Sequence, residues 1–140
     1  MSYSRSTRKT ADENPPFDNV FVTPAAYHSF IESGTWPDKT MFVLEIRTSV
    51  SKSSINQHGH FQDALIGMEA EVKDEKRFAG KWAFFDFSGS QESAKPIAFS
   101  AACYSCHALN GAVDNTFVQF YPTLLEIAKR KRTVKPISSE

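Results

Sequence analysis

Residues 81–87 read KWAFFDF, and this short aromatic segment is the strongest indication of the fold. Four of its seven residues are aromatic. Aromatic side chains favour β-strands because their rings pack well on a pleated, half-buried surface. The segment therefore predicts a strand over residues 81–87.

Upstream of this segment, alternating and apolar patterns predict three further strands. They cover residues 17–22, 40–49 and 61–73, with Gly67 as a possible bulge. Phe42, Leu44 and Ile46 alternate along the second of these strands, so they should share one face of a sheet. Because strands come first and helices lie towards the ends of the chain, we expect an antiparallel sheet.

Helices are predicted on either side of these strands. Thr23-Pro24 provides a capping hydroxyl followed by proline at the first helical position, which indicates a helix over 24–32. Two more helices are expected over residues 97–109 and 121–130. The fold class is therefore α+β, an antiparallel β-sheet with flanking helices. We expect a loosely packed arm at 1–16, one domain at 17–132 and a flexible tail at 133–140.

Composition excludes several functional classes. The chain has 140 residues, a mass of 15.7 kDa and a formal net charge of zero. A balanced charge argues against a nucleic-acid-binding protein, and no apolar run has the roughly 20 residues of a membrane span. The twelve Phe, four Tyr and two Trp suggest a large apolar core or a pocket for a flat ligand.

The pentapeptide Cys103-Tyr104-Ser105-Cys106-His107 fits the attachment motif of c-type haem, C-x-x-C-H. On a helix, positions 103, 106 and 107 fall within an arc of about 100°. Two thiols on one face can bond the two vinyl groups of a porphyrin, and the imidazole can then bind the iron as proximal ligand. We therefore predict one covalent haem c held by Cys103 and Cys106, with His107 as the iron ligand.

Three other interpretations of the cysteines remain open. A thioredoxin-type redox pair would be expected in a βαβ context, which is absent here. A zinc site would need more ligands, and the only imidazole pair, His58 and His60, lies over forty residues away. The motif could also have arisen by chance around inert thiols. Covalent haem is favoured, and because haem c is assembled outside the cytoplasm, we expect a periplasmic protein whose signal peptide has been removed.

With these motifs in place, the chain resembles the cytochrome P-460 family, which includes the beta-type cytochromes c-prime. The resemblance rests on VFVTPAAYHSF, GTWPDKTMFVLEIR, IGMEAEVKD, WAFFDF and CYSCHALNGAVDNTFVQFYPTLL, and runs from about residue 17 to 131. It implies an antiparallel-sheet protein with one covalent haem, commonly a homodimer.

The resemblance also implies where this chain departs from the hydroxylamine-oxidising members. Those members carry a lysine bonded to the haem ring, and Leu44 stands at the matching position here. Lys39 is five residues earlier, on the opposite strand face, and Lys52 lies in a loop. The chain is therefore more similar to the gas-binding branch, in which aromatic residues cap the distal pocket.

The residues themselves suggest the same function. If Phe42, Leu44 and Ile46 roof the haem, a five-coordinate iron beneath them would bind neutral diatomic ligands such as NO. Phe61 should approach the haem from the next strand. The alternative is that this apolar face is ordinary core. Polar or sulfur groups that could instead act on the distal side are His58, His60, Glu69, Met41 and Met68.

The sequence therefore predicts a monohaem cytochrome that binds a small nitrogen oxide at a vacant haem position. The alternatives are a hydroxylamine- or NO-oxidising enzyme, a simple electron-transfer cytochrome and a zinc-stabilised binding module. A redox partner protein and a homodimer are expected, whereas nucleic acid and a membrane span are not. The basic run 129–132 is typical of a solvated helix end, and docking to an acidic redox partner is the second interpretation.

Overall fold

A computed structural model describes residues 2–4, 14–89 and 92–136 of the chain. One antiparallel sheet of five strands, arranged in chain order, forms its centre. The strands are β1 (Ser2–Ser4), β2 (Phe17–Val22), β3 (Met41–Val50), β4 (Phe61–Lys73) and β5 (Trp82–Asp86). The predicted α+β class with an antiparallel sheet is confirmed.

Three α-helices and one 3₁₀ turn complete the described fold. They are α1 (Pro24–Ser33), α2 (Ala102–Asn110), the 3₁₀ turn Val118–Phe120 and α3 (Pro122–Lys131). Thr23 caps α1 as predicted, because its hydroxyl accepts a hydrogen bond from the backbone N–H of Ala26. Gly34, in the left-handed conformation, ends the helix.

Strands β3 and β4 form the longest pairing, and their register fixes which residues share the inner face of the sheet. Leu44 lies opposite Glu69, and Phe42 lies opposite Glu71. The register shifts beyond the Ile46–Gly67 pair, which leaves one extra residue in β4 beside the predicted bulge. On the inner face, apolar residues of β3 therefore lie opposite carboxylic acids of β4.

An aromatic cluster on the inner face forms the core. Phe30 of α1 packs on Trp36 with ring centroids 4.3 Å apart, and Trp36 meets Phe42 edge-on at 4.8 Å. Phe42 in turn stacks against Trp82 at 5.9 Å. Leu124 of α3 closes the cluster and is 1% exposed. Four aromatic side chains, Phe30, Trp36, Phe42 and Trp82, thus form much of the core.

The predicted helix over 97–109 begins later than expected, at Ala102. The backbone N–H of Ile97 donates to the carbonyl of Phe84, and Pro96 bridges to Phe85. Pairing with the edge of β5 therefore holds this segment extended, and only the residues beyond it are free to form the helix.

The expected N-terminal arm and C-terminal tail both contain residues that contact the domain. Ser2–Ser4 pairs with β2, while the rest of the arm up to residue 13 lies outside the described residues. Thr133 donates a hydrogen bond to the carbonyl of Gly34, and the backbone N–H of Lys135 donates to the carbonyl of Ala112. The first residues of the expected tail are thus attached to the domain; residues 137–140 are not described.

Candidate functional site

A cleft lies between the inner face of the sheet and the C-terminal helices. Its non-atom space is about 840 Å³ when the solvent-open mouth is included. Its lining is mostly apolar and comes from the sheet, from Trp36, and from α2 and the segment that follows it. Residues that line it include Val20, Leu44, Glu69, Glu71, Phe84, His107, Phe117 and Tyr121.

His107 of α2 projects into this cleft between two aromatic rings. Its ring centroid lies 4.7 Å from that of Phe84 and 4.4 Å from that of Phe117. Its Nδ1 lies 2.9 Å from the carbonyl oxygen of Asn115. A carbonyl oxygen only accepts, so Nδ1 carries the proton and Nε2 keeps its lone pair. Burial lowers the pKa of His107, which favours the neutral imidazole that metals bind.

The carbonyl that accepts this proton belongs to a tight turn at 113–116. Val113 and Thr116 pair across the turn, and the N–H of Thr116 donates to the carbonyl of Val113 at 2.8 Å. Asp114 and Asn115 both have positive φ values, 48° and 59°, which Asp and Asn tolerate better than most residues. The sequence Val-Asp-Asn-Thr thus folds the chain back beneath α2.

The two cysteines lie on the same helix as His107, as the sequence predicts. Both are free thiols, Cys103 half-buried and Cys106 exposed, and neither belongs to the lining of the cleft. Helix α2 has no fully buried residue. The thiols are therefore accessible for covalent modification, which agrees with an attachment site and not with inert core cysteines.

Leu44 and Phe42 are the predicted roof residues that the structure places beside His107. Both line the cleft. Phe42 is also part of the aromatic core, which agrees with the alternative interpretation of this strand face. Contact of the face with a haem stays a prediction. Phe61 does not line the cleft; it is 41% exposed at the far end of β4, where it pairs with Val50. The predicted contact between Phe61 and a haem stays a prediction.

Of the other distal candidates, only Glu69 reaches the cleft. His58 and His60 are exposed in the loop between β3 and β4. Met41 and Met68 neighbour Phe42 and Glu69 in sequence, so they point to the opposite face of the sheet.

Glu71 is a cleft residue that the sequence did not reveal. Burial, reinforced by the charge of Asp114, raises the pKa of Glu71 to about 8, so the carboxyl is mostly neutral at pH 7. Its Oε1 is buried without a hydrogen-bond partner among the described residues and lies 3.6 Å from Nδ1 of His107. That distance is too long for a hydrogen bond, so Asn115 keeps the histidine proton.

The donor set fits haem better than a protein-ligated metal ion. Within the described ranges, no three His, Cys, Asp or Glu side chains group closely enough to hold a metal ion. Haem iron needs only one or two protein ligands, because the porphyrin supplies the other four. A neutral imidazole with its second nitrogen hydrogen-bonded suits that role. Among the same residues, no helix is long and apolar enough to cross a membrane.

Comparison with known proteins agrees with this geometry. No match is found among curated proteins. The family model described as Cytochrome P460 matches residues 2–118 of the 140. This match covers the whole sheet, helix α2 and the turn that supports His107. The chain therefore belongs to the cytochrome P460 family of haem proteins.

Proposed function

We propose that this protein is a monohaem c-type cytochrome that binds a small, neutral nitrogen oxide such as NO. Cys103 and Cys106 hold the haem through thioether bonds, and His107 is the proximal ligand. The observation that carries the proposal is the imidazole of His107, whose Nδ1 lies 2.9 Å from the carbonyl oxygen of Asn115 and which shares helix α2 with the free thiols of Cys103 and Cys106.

Each residue has a defined role in this proposal. Each thiol adds across one vinyl group, with sulfur bonding one carbon and hydrogen the other, so attachment needs no net oxidation. Bound haem supplies an iron coordination position for the ligand. Leu44 and Phe84 exclude water from the cleft, and the mostly apolar lining disfavours charged ligands such as nitrite. Together these groups favour an uncharged ligand.

Denaturing mass spectrometry and optical spectroscopy test the proposal. Protein matured in a host that assembles haem c should retain the mass of one haem, and its reduced spectrum should change on addition of NO. Cys106→Ala should reduce haem retention, whereas Ser105→Ala, on the same helix between the thiols, should not. A colourless protein, or one whose spectrum is insensitive to NO, would contradict the proposal.

Hydroxylamine oxidation is the second candidate, and the placement of the lysines argues against it. Leu44, which the resemblance matches to the lysine of the oxidising members, lines the cleft. Lys39 instead pairs with Asp74, and Lys52 is exposed in the loop after β3. Neither amine is therefore available to bond a group in the cleft.

A six-coordinate electron-transfer haem has even less support. It would need a second ligand from the protein, and the expected candidates His58, His60, Met41 and Met68 all lie outside the cleft lining. A five-coordinate, high-spin spectrum at neutral pH is the expected result.

The proposal includes a periplasmic location and a homodimer. On the outer face of the sheet, Phe21 lies opposite Val43 and is 51% exposed, and Met41 beside them is 46% exposed. Exposed apolar side chains on one face of a sheet are suited to packing against a second copy of the chain. Light scattering coupled to size-exclusion chromatography measures the oligomeric state, and Phe21→Ser should weaken the dimer.

A further inference from the structure

The turn that accepts the histidine proton receives hydrogen bonds from three residues elsewhere in the fold, and the longest of these runs from Nε1 of Trp82 to Asp114, at 3.5 Å. Asp114 of the turn accepts a hydrogen bond of 2.6 Å from Nζ of Lys73, at the end of β4. On the other side, Nε1 of Trp36 donates to the hydroxyl of Thr116 at 3.0 Å. Asp114 and Thr116, which lie on either side of Asn115, are thus each bonded to a residue outside the turn.

Lys73 is an unusual residue to find here, because a lysine is almost never buried unless it is paired. Its side chain is 7% exposed. Besides Asp114, its ammonium donates to the carbonyl of Trp36 at 2.7 Å and lies 5.8 Å from the ring of Trp82. The ion pair between Lys73 and Asp114 fixes the positions of both side chains more than it stabilises the fold. The cost of removing the two charges from water offsets much of their mutual attraction.

We propose that Lys73 and Asp114 are positioning residues for the haem ligand. Through the turn they hold the carbonyl of Asn115 against Nδ1 of His107 and thereby set the strength of the iron–histidine bond. This inference rests on the proposed function, in which His107 binds the iron.

The contact network explains why the turn needs this support. Asn115 itself reaches His107 through its backbone carbonyl, so its side chain plays no part in this bond. The carbonyl can point at the imidazole only while the positive φ values of Asp114 and Asn115 are maintained. The Lys73 bond to Asp114 and the Trp36 bond to Thr116 restrain both ends of that strained pair.

A hydrogen bond from Nδ1 makes an imidazole a stronger ligand and fixes its orientation. When the turn loosens, the carbonyl moves away and His107 donates less electron density to the iron. The iron–imidazole stretching vibration, which resonance Raman spectroscopy detects in ferrous five-coordinate haem proteins, should then shift to lower frequency.

Three single substitutions in the haem-loaded protein test the inference. Asp114→Asn weakens the bond to Lys73 while keeping a side chain that tolerates positive φ. Thr116→Val removes the hydroxyl that Trp36 binds without changing any charge. Asp74→Asn is the matched control, because Asp74 pairs with Lys39 and makes no described contact with the turn.

We expect the stretching frequency to fall in Asp114→Asn and Thr116→Val and to stay at the wild-type value in Asp74→Asn. Unchanged frequencies in the first two variants, an equal change in the control, or a change confined to Asp114→Asn would overturn the inference. Wild-type protein that lacks the iron–histidine vibration would overturn the proposed function, and this inference with it.

Discussion

Replacing Gly111 by alanine is the sharpest structural test of the site. Gly111 ends α2, and its N–H donates to the carbonyl of His107 at 2.9 Å. A Cβ at this position would lie 2.5 Å from the carbonyl carbon of Asn115 and 2.7 Å from both the carbonyl oxygen of His107 and the nitrogen of Thr116. All three are backbone atoms, so relief requires the turn and the helix end to move apart.

The size of the effect follows from this crowding. Overpacking costs about 1–3 kcal/mol, and three backbone contacts put this site in the upper half of that range. The lower entropy of the unfolded alanine variant offsets about 0.4–1 kcal/mol. We therefore expect a net loss of about 2 kcal/mol, or a fall of about 8 °C in Tm for a domain of this size.

Thermal and guanidinium unfolding followed by circular dichroism measure this loss. Gly89→Ala is the matched control, because a Cβ there meets nothing within 4 Å and should leave stability unchanged or slightly higher. If Gly111→Ala and Gly89→Ala had the same Tm, the turn would not be packed against the end of α2. The packing that holds the carbonyl of Asn115 near His107 would then be absent.

Other substitutions test the core, the charges and the cleft. Leu124→Ala should lower the free energy of unfolding by about 2–5 kcal/mol in guanidinium titrations, because Leu124 is 1% exposed. The hydrogen bond from Lys39 lowers the pKa of Asp74 below 3.8; its stabilisation is therefore present above pH 3.8 and lost at lower pH. Asp74→Asn should be less stable than wild type at neutral pH, and the difference should disappear on acid unfolding. Leu44→Lys should place an amine in the cleft and, after oxidation, give a red-shifted haem band and a cross-linked mass; Val43→Lys, on the outer face, should give neither.

Local sequence patterns predicted the strands well. Phe17–Val22 and Phe61–Lys73 coincide with the predicted ranges because turn residues flank a clear alternation or apolar run. The start of α2 was wrong by five residues, since nothing local shows that Ile97 pairs with Phe84. Strand pairing between segments distant in sequence overrode the helical pattern there.

The carboxyl groups in the cleft could not be predicted in the same way. Glu71 reads as one of several charged residues in β4, and a strand with charges on one face usually exposes them. Only the register, which places Glu71 opposite Phe42 and beside Phe84, shows that this face is covered. The role of Lys73 was hidden for the same reason, because its partner Asp114 lies 41 residues away.

The neighbours of His107 also bear on what the iron would do. Two acceptors lie near its Nδ1, the carbonyl of Asn115 at 2.9 Å and the carboxyl of Glu71 at 3.6 Å. A carboxylate acceptor would push more electron density onto the iron, and strong donation from the proximal side favours cleavage of O–O bonds. Here the neutral carbonyl holds the proton, and the raised pKa of Glu71 keeps its carboxyl mostly uncharged at pH 7. With a carbonyl and not a carboxylate as acceptor, His107 would donate less electron density to a bound haem iron, in keeping with the proposed binding of a small ligand.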